Sequence, residues 1–123
     1  MRDLKERTKT FAIDVLKFGR AMKRGIEEDT LRKQLVRSAT SVGAHYRAAQ
    51  RARSAPDFLN KMQVGLEEAD ESLYWLEVLV ESGIADTPTA KKLCREANEL
   101  TAIFASIVCK LKRRGYGKRR AGR

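Results

Sequence analysis

The sequence predicts an all-α protein, an antiparallel up-down-up-down four-helix bundle that is followed by a basic C-terminal tail. Two prolines and eight glycines interrupt a chain of 123 residues that is rich in Ala, Leu, Glu, Lys and Arg. Apolar residues recur at helical spacing in four segments, and each junction between segments carries Gly or Pro. The bundle domain is expected over residues 1–114 and the tail over residues 115–123.

The first helix is predicted from about Leu4 to Arg24, with Gly25 as its left-handed terminator. Its apolar residues recur at intervals of four and three, which gives one narrow stripe. They are Phe11, Val15, Phe18 and Met22.

The second helix is predicted to begin near Asp29 or Thr30, either of which can cap it, and to stop near Arg53. Its expected inner face contains Leu31, Leu35, Ala39, Val42, Tyr46 and Ala49. Small residues would let neighbouring helices approach closely, namely Ser38, Ala39, Ser41, Gly43 and Ala48. At 100° per residue a basic stripe falls on the opposite side and contains Lys33, Arg37, Arg47 and Arg51.

The third and fourth helices carry clear start signals. Ser54 can cap the third helix and Pro56 fits its first turn, while Thr87 and Pro88 play these parts in the fourth. The third helix is expected to end at Gly83, with an inner face of Phe58, Met62, Leu66, Ala69, Leu73, Leu76 and Val80. The fourth is expected to end at Gly115 and Gly117, with an inner face of Leu93, Ala97, Leu100, Phe104, Ile107 and Leu111.

The net charge of +10 predicts a polyanionic partner such as nucleic acid. Eight cations and no acid lie in residues 110–123, and the remaining chain carries a net charge of +2. The candidate nucleic-acid-binding residues are Lys33, Arg37, Arg47, Arg51, Arg53, Lys110, Lys112, Arg113, Arg114, Lys118, Arg119 and Arg120. The alternative interpretation is a solvated helix face with a solubilising tail. Tyr116 is the only aromatic residue inside a basic run, so the pattern favours contacts to phosphates over sequence-specific readout.

The residue pattern does not predict an enzyme, a cofactor or a metal site. The single histidine, His45, has no second histidine and no nearby cysteine to share a metal. The acidic run "LEEADE" at residues 66–71 lacks the Glu-x-x-His motifs of bundle di-metal sites, which favours a solvated or salt-bridging helix face.

Apolar residues outside the inner stripes predict self-association, since large exposed apolar patches usually mark interfaces. The candidate interface residues are Ile13, Leu16, Val64, Trp75 and Val78. The alternative for Trp75 is that its ring lies along the surface of its own helix.

A cytoplasmic location without membrane insertion is expected. The N-terminus lacks an apolar signal core, and no run of about 18 apolar residues is present. Cys94 and Cys109 fall on one predicted helix and are too far apart to form a disulfide, and free thiols suit a reducing compartment.

The central part of the chain resembles the four helix bundle proteins, which are also called 23S rRNA intervening-sequence proteins. The resemblance covers about residues 8–112 and is carried by the spacing of packing residues. The matching residues are Gln34, Leu35, Arg37, Ser38, Ser41 and Val42, then Arg51 to Ser54, Asp57 and Phe58, then Glu71, Ser72 and Leu73. The chain departs from the commoner form at His45 to Ala49, where Asn-Ile-Ala-Glu-Gly is usual.

The resemblance implies a homopentamer of up-down bundles and, in some members, an origin within inserted sequences of 23S rRNA genes. A related branch comprises the accessory proteins of diversity-generating retroelements, which associate with a reverse transcriptase and its nucleic acid. We therefore expect a non-enzymatic oligomer that binds nucleic acid, RNA in particular. The alternative is a scaffold that docks a partner such as a reverse transcriptase.

Overall fold

The computed structural model describes residues 3–115, which form four α-helices and contain no strand. The helices are α1 (Leu4–Ala21), α2 (Ile26–Gln50), α3 (Ala55–Glu81) and α4 (Pro88–Arg113). The predicted all-α four-helix bundle is therefore confirmed. Residues 116–123 of the predicted tail, with Lys118, Arg119 and Arg120, lie outside the described residues.

The four helices form a ring in which each packs on the next and α1 returns to α4. A Cβ on Gly43, late in α2, would lie 3.1 Å from Oγ1 of Thr8, early in α1. Gly65, in the first half of α3, packs in the same way on Phe104 in the second half of α4. These pairings run antiparallel, as the short connections require. The C-termini of α2 and α4 therefore lie at the same end of the bundle.

Two of the predicted helix starts are confirmed by their caps. The Ser54 side chain accepts a hydrogen bond from the Asp57 backbone N–H at 3.2 Å, and Thr87 accepts one from Ala90 at 3.1 Å. Gly83 and Gly115 follow α3 and α4 with φ of +83° and +84°, a conformation that glycine adopts at no steric cost.

The junction between α1 and α2 differs from the prediction, because Arg32 takes over the capping role that was assigned to Gly25. Helix α1 ends at Ala21, before the predicted Arg24. Helix α2 begins at Ile26 after Gly25, so the prediction that Asp29 or Thr30 caps it is wrong. The Arg32 guanidinium donates to three carbonyl oxygens near the end of α1, those of Gly19 at 2.8 Å, Met22 at 3.1 Å and Lys23 at 2.7 Å. It also donates to Asp29 at 2.5 Å, which lowers the pKa of that carboxyl. Arg32 thus provides partners from α2 for carbonyls at and just after the end of α1, in addition to the Met22 N–H that the Gly19 carbonyl already accepts.

The buried face of α3 is displaced from the predicted one. Its buried residues are Leu59, Met62, Gly65, Ala69, Ser72, Leu76 and Leu79. The predicted core residues Phe58, Leu66, Leu73 and Val80 are half-buried. The reason is packing, since Gly65 and Ser72 let α4 and α2 come close, which turns the helix toward its small residues. Two smaller differences from the prediction concern α2 and α4. Helix α2 ends at Gln50 and not near Arg53. In α4, Val108 is buried in the core in place of Ile107.

Small residues determine how closely the helices approach, as expected for Ser38, Ala39 and Gly43. Ser38 and Ser72 are both fully buried, and Ser72 Oγ donates to Ser38 Oγ at 3.1 Å. Ser38 also donates to carbonyl oxygens of its own helix. This pair satisfies its polar groups inside the bundle and joins α2 to α3.

Arg7 connects α1 to α4, the pair of neighbouring helices with the least contact. Its Nε and Nη2 atoms each donate to Glu96 at 2.8 Å, and Nη2 also donates to Glu99 at 2.8 Å. Only 17% of the Arg7 side chain is exposed. The hydrogen bonds to Glu96 and Glu99 raise the pKa of Arg7, whose guanidinium is charged at physiological pH in any case.

Substituting two helical glycines should have opposite effects on stability. A Cβ at Gly65 would lie 2.6 Å from Cε2 of the fully buried Phe104 ring, so Gly65→Ala should lower the free energy of unfolding by about 1–3 kcal/mol. A Cβ at Gly19 would lie 3.4 Å from Arg32 Cγ, which is an ordinary contact. Gly19→Ala should therefore leave stability unchanged or raise it by up to about 1 kcal/mol. Urea unfolding followed by circular dichroism measures both, and equal effects would contradict the close approach of α3 to α4.

Removing the Arg7 guanidinium should weaken the attachment of α1 to α4. Arg7→Met keeps the apolar stem but leaves Glu96 half-buried without its partner, so we expect a loss of about 1–3 kcal/mol. Lys9→Met is the control, because Lys9 is exposed and forms no ion pair with another described residue. Thermal unfolding at low and high salt distinguishes the two variants, and an effect on stability that is no larger for Arg7→Met would argue against the proposed attachment.

Candidate nucleic-acid interface

The cations of the described bundle are concentrated at one end. We define the basic end as residues 3–9, 44–66 and 103–115, which the antiparallel packing brings together. It carries eleven Lys and Arg and three Asp and Glu, a net charge of +8. The other described residues, 10–43 and 67–102, carry ten cations and thirteen acids, a net charge of −3. The bundle is therefore an electrostatic dipole whose positive pole can attract a polyanion.

An open concavity of about 730 Å³ lies on the basic end, where α2 runs into the turn before α3. Ala44 and Ala48 lie in this concavity, and their small side chains leave room between the surrounding cations. The cations around it are Arg47, Arg51, Arg53 and Lys61. Arg47, Arg51 and the Arg53 side chain form no ion pair with another described residue, so their guanidinium groups are available to phosphate.

Asp57 is the one carboxylate that lines this concavity. It accepts hydrogen bonds from Lys61 Nζ at 2.5 Å and from the Arg53 backbone N–H at 3.2 Å. Both contacts lower the pKa of Asp57, and the hydrogen bond from Lys61 has the larger effect. The Asp57 carboxylate therefore stays ionised and partly neutralises Lys61. Three arginines that have no ion pair with any of residues 3–115 thus remain against this one carboxylate.

The last turns of α4 form a second group of cations at the same end. Lys110, Lys112, Arg113 and Arg114 are all exposed, and residues 103–115 contain no acid. Cations at a helix C-terminus also complement the helix dipole, as Arg47 does in α2. Interaction with the helix dipole accounts for some of these cations. A group of four exceeds what the dipole requires, so positive charge remains to bind an anionic partner.

The predicted basic stripe of α2 is divided by the structure. Lys33 and Arg37 lie in the less basic half of the bundle, away from the concavity. Arg37 pairs across the α2–α3 seam with Glu71 and, at 3.6 Å, with Glu68. Its guanidinium thus stabilises the helix pair, whereas Arg47 and Arg51 remain unpaired among the described residues.

Sequence reasoning did not identify Lys61 or the α1 residues Lys5 and Lys9 as parts of this surface. No local sequence pattern identifies these three lysines as part of a binding surface. Lys61, for example, has the i,i+4 spacing of an ion-pair partner of Asp57. They can be found once the antiparallel topology is applied, which places the starts of α1 and α3 beside the ends of α2 and α4.

The candidate interface residues occupy two lateral faces on diagonally opposite helices. Ile13 and Leu16 on α1 are 42% and 37% exposed, whereas Val64, Trp75 and Val78 on α3 are half-buried. The displacement of the α3 core moves Trp75 toward α2, where it packs on the core and donates its indole N–H to Glu71 at 3.2 Å. Tyr74, which the sequence did not single out, is 56% exposed and contacts Trp75 edge to face.

The remaining chemical groups have ordinary packing roles. His45 Nδ1 lies 2.8 Å from the Ser41 carbonyl oxygen of its own helix. Burial raises the pKa of the half-buried Cys94 thiol, and Cys94 and Cys109 are both unpaired. No group of three His, Cys, Asp or Glu within residues 3–115 is arranged to hold a metal ion. None of the four described helices is sufficiently long and apolar to cross a bilayer.

Comparisons with known proteins agree with this architecture. The sequence profile described as 23S rRNA-intervening sequence protein matches residues 3–106. A similar solved structure is a protein of unknown function from the S23 ribosomal protein family of Bacteroides thetaiotaomicron. It is 29% identical, with a TM-score of 0.77 over 86% of this chain and 98% of that chain. No curated protein matches the sequence. Because the profile covers most of the chain, and the fold is the four-helix bundle that the resemblance implies, this chain belongs to the 23S rRNA-intervening sequence protein family.

Proposed function

We propose that this protein is a non-enzymatic, oligomeric bundle that binds nucleic acid, RNA in particular, through its basic end and its tail. The observation that carries the proposal is the net charge of +8 at one end of a bundle whose remaining described part is slightly acidic. Each Lys or Arg that contacts a phosphate releases condensed counterions, which supplies most of the free energy of non-specific binding. In the sequence, the tail adds Lys118, Arg119 and Arg120 after the cations of α4.

A second candidate function is a scaffold that docks a protein partner, such as a retroelement reverse transcriptase. The exposed Tyr74, beside the half-buried Trp75, supports it as an alternative to self-association at this face, because aromatic side chains are enriched in protein interfaces. Affinity capture from the native cell with and without nuclease separates the two functions. Partners that remain after nuclease treatment favour the scaffold, and their loss favours nucleic-acid binding.

Neutralising the arginines of the concavity should make RNA binding less dependent on salt. The variant Arg47→Gln/Arg51→Gln/Arg53→Gln removes up to three phosphate contacts, so the slope of log K against log salt should fall by about 2–3. Fluorescence anisotropy with a labelled structured RNA measures the slope. Absence of binding by the native protein at about 50 mM salt would refute the proposed function.

The matched control removes the same charge from the opposite end. Lys91→Gln/Lys92→Gln/Arg95→Gln replaces three exposed cations of α4 near its N-terminus. We expect the salt slope to change by less than about 1, since these residues lie outside the basic end. Equal changes in the two variants would mean that net charge alone, and no particular surface, governs binding.

We further propose self-association through the two lateral faces. On α1, the exposed charged residues near Ile13 and Leu16 are the cations Lys9, Lys17 and Arg20 and one acid, Asp14, so cations are in excess. On α3, Tyr74 and Val78 lie near the exposed acids Asp70, Glu77 and Glu81, while Glu71 is already paired with Arg37. A two-fold contact would place like charges together, whereas α1 of one copy against α3 of the next pairs opposite charges. Such a head-to-tail contact supports a closed ring, and five subunits are what the family resemblance implies.

Blocking either face should dissociate the oligomer. Leu16→Glu blocks the α1 face, and Tyr74→Lys blocks the α3 face, at side chains that are exposed in the subunit. Light scattering should show a monomer for each variant alone and a heterodimer when the two are mixed, because each retains one intact face. A native protein that is monomeric would rule out this assembly, and a mixture that stays monomeric would rule out the head-to-tail arrangement.

A further inference from the structure

The concavity between α2 and α3 is bounded at one end by the turn that connects these helices. Its sides are the last turns of α2, which carry Arg47 and Arg51, and the first turns of α3, which carry Lys61. Arg53, in the turn itself, also lines the concavity. Because residues 51–54 join the two antiparallel helices, the backbone crosses between them at this end, and the groove ends at the turn.

Carboxylates follow the concavity in the other direction along the α2–α3 seam. Lys61 and Glu68 are seven residues apart, so they lie on the same face of α3, about 10 Å apart along the helix axis. Glu68 and Glu71 hold Arg37 of α2 in ion pairs across the seam. They belong to the acidic run of residues 66–71, which contains four carboxylates. A nucleic-acid strand that followed the seam beyond the concavity would therefore bring its next phosphates toward negative charge.

The positive charge in the concavity exceeds the charge of one internal phosphate. Four cations and one carboxylate line it, which gives a net charge of +3. Lys61 is paired with Asp57, so the excess lies on three arginines that have no ion pair with another described residue, namely Arg47, Arg51 and Arg53. An internal phosphodiester carries one negative charge, whereas a phosphomonoester carries about 1.5 to 2 at neutral pH.

The shape of the concavity also favours a phosphate at the end of a strand. Ala44 and Ala48 leave the space between the cations open. A terminal phosphate is bonded to one sugar and offers three oxygens, so several guanidinium groups can donate to it, each through two N–H groups. An internal phosphate offers two free oxygens and has a strand on both sides. The turn blocks one direction along the groove, and the acidic run disfavours the other.

We propose that this concavity binds the terminal phosphate of a nucleic-acid strand, so that the protein recognises phosphorylated ends. The inference rests on the proposed nucleic-acid function and specifies the group that enters this site. The internal phosphates of the same strand have other exposed cations at this end of the bundle, among them Lys110, Lys112 and Arg113 of α4. A free mononucleotide carries the same phosphomonoester but lacks these internal phosphates, and so gains less binding free energy.

RNA strands of one sequence that differ only in their terminal groups test this inference. Anisotropy titrations of the full chain use internally labelled strands with a phosphate at the 5′ end, at the 3′ end or at neither, and a strand with a 5′-methyl phosphate. At equal salt we expect at least one phosphorylated strand to bind about tenfold more tightly than the strand with two hydroxyl ends. The 5′-methyl phosphate has one negative charge, so it should give less than the full gain of a 5′-phosphate.

Three outcomes would overturn the assignment. Equal affinity of all four strands would overturn recognition of ends and leave the nucleic-acid function standing, whereas no binding to any strand would overturn both. Adenosine 5′-monophosphate that displaces the phosphorylated strand at the strand's own concentration would identify a mononucleotide site in place of a strand-end site.

Matched variants test whether the concavity is the place where the end is recognised. Arg47→Gln/Arg51→Gln/Arg53→Gln should reduce the ratio between phosphorylated and hydroxyl-ended strands to about one, because it removes the cations that face the terminal phosphate. Lys110→Gln/Lys112→Gln/Arg113→Gln removes the same charge from α4 and should weaken both strands alike, with the ratio kept at about tenfold. All six side chains are exposed, so circular dichroism should show native helicity. A ratio that survives in the first variant, or is lost in both, would overturn binding of the end in this concavity.

Discussion

The close contact between α2 and α3 at Ser38 and Ser72 is the constraint on which the rest of the structure depends. The two side chains are small and fully buried, and their Oγ atoms lie 3.1 Å apart, which requires both backbones to be near and in one register. Each hydroxyl also bonds to a carbonyl oxygen of its own helix, so both buried hydroxyls are satisfied. This register places Arg37 against Glu68 and Glu71 and turns Trp75 toward the core. The same register places the turn at residues 51–54 at the end of the bundle where α4 ends. The cations near this turn and those of the last turns of α4 therefore lie at the same end.

The polarity of the molecule follows from that register and from the direction of the helices. Helices α2 and α4 each carry excess cations near their C-termini, and an antiparallel bundle places alternate helix ends side by side. The helix dipoles favour this placement, since positive side chains offset the partial negative charge of the terminal carbonyls. Most of the acids of α3 lie in its second half, so they collect in the other half of the bundle. A chain that is nearly balanced outside its last fourteen residues thus forms a polarised body.

The surfaces proposed for nucleic acid and for self-association are centred on different parts of the bundle and meet at Lys9 of α1 and Val64 of α3. The first is the basic end, and the second consists of lateral faces on α1 and α3. If subunits associate side by side with their axes aligned, their basic ends lie on the same side of the assembly, and weak phosphate contacts act together. Repetition of the basic end around the assembly then raises the affinity for nucleic acid without a deep pocket. This fits a surface with an open concavity and with arginines that have no ion pair among the described residues.

The sequence by itself determined the number of helices, two of their caps, most of the core and the excess of positive charge. Those features depend on local chemistry, namely the 3.6-residue period, the capping of α3 by Ser54 and of α4 by Thr87, and the count of cations. Tertiary structure decided which cations are available. Arg32 and Arg37 look like Arg47 in the sequence, but one caps α1 and the other pairs with Glu71, because those partners are distant in the chain and close in the bundle. It also decided that Lys61 joins Arg51, since a periodicity within one helix carries no information about which residues of another helix will lie beside it.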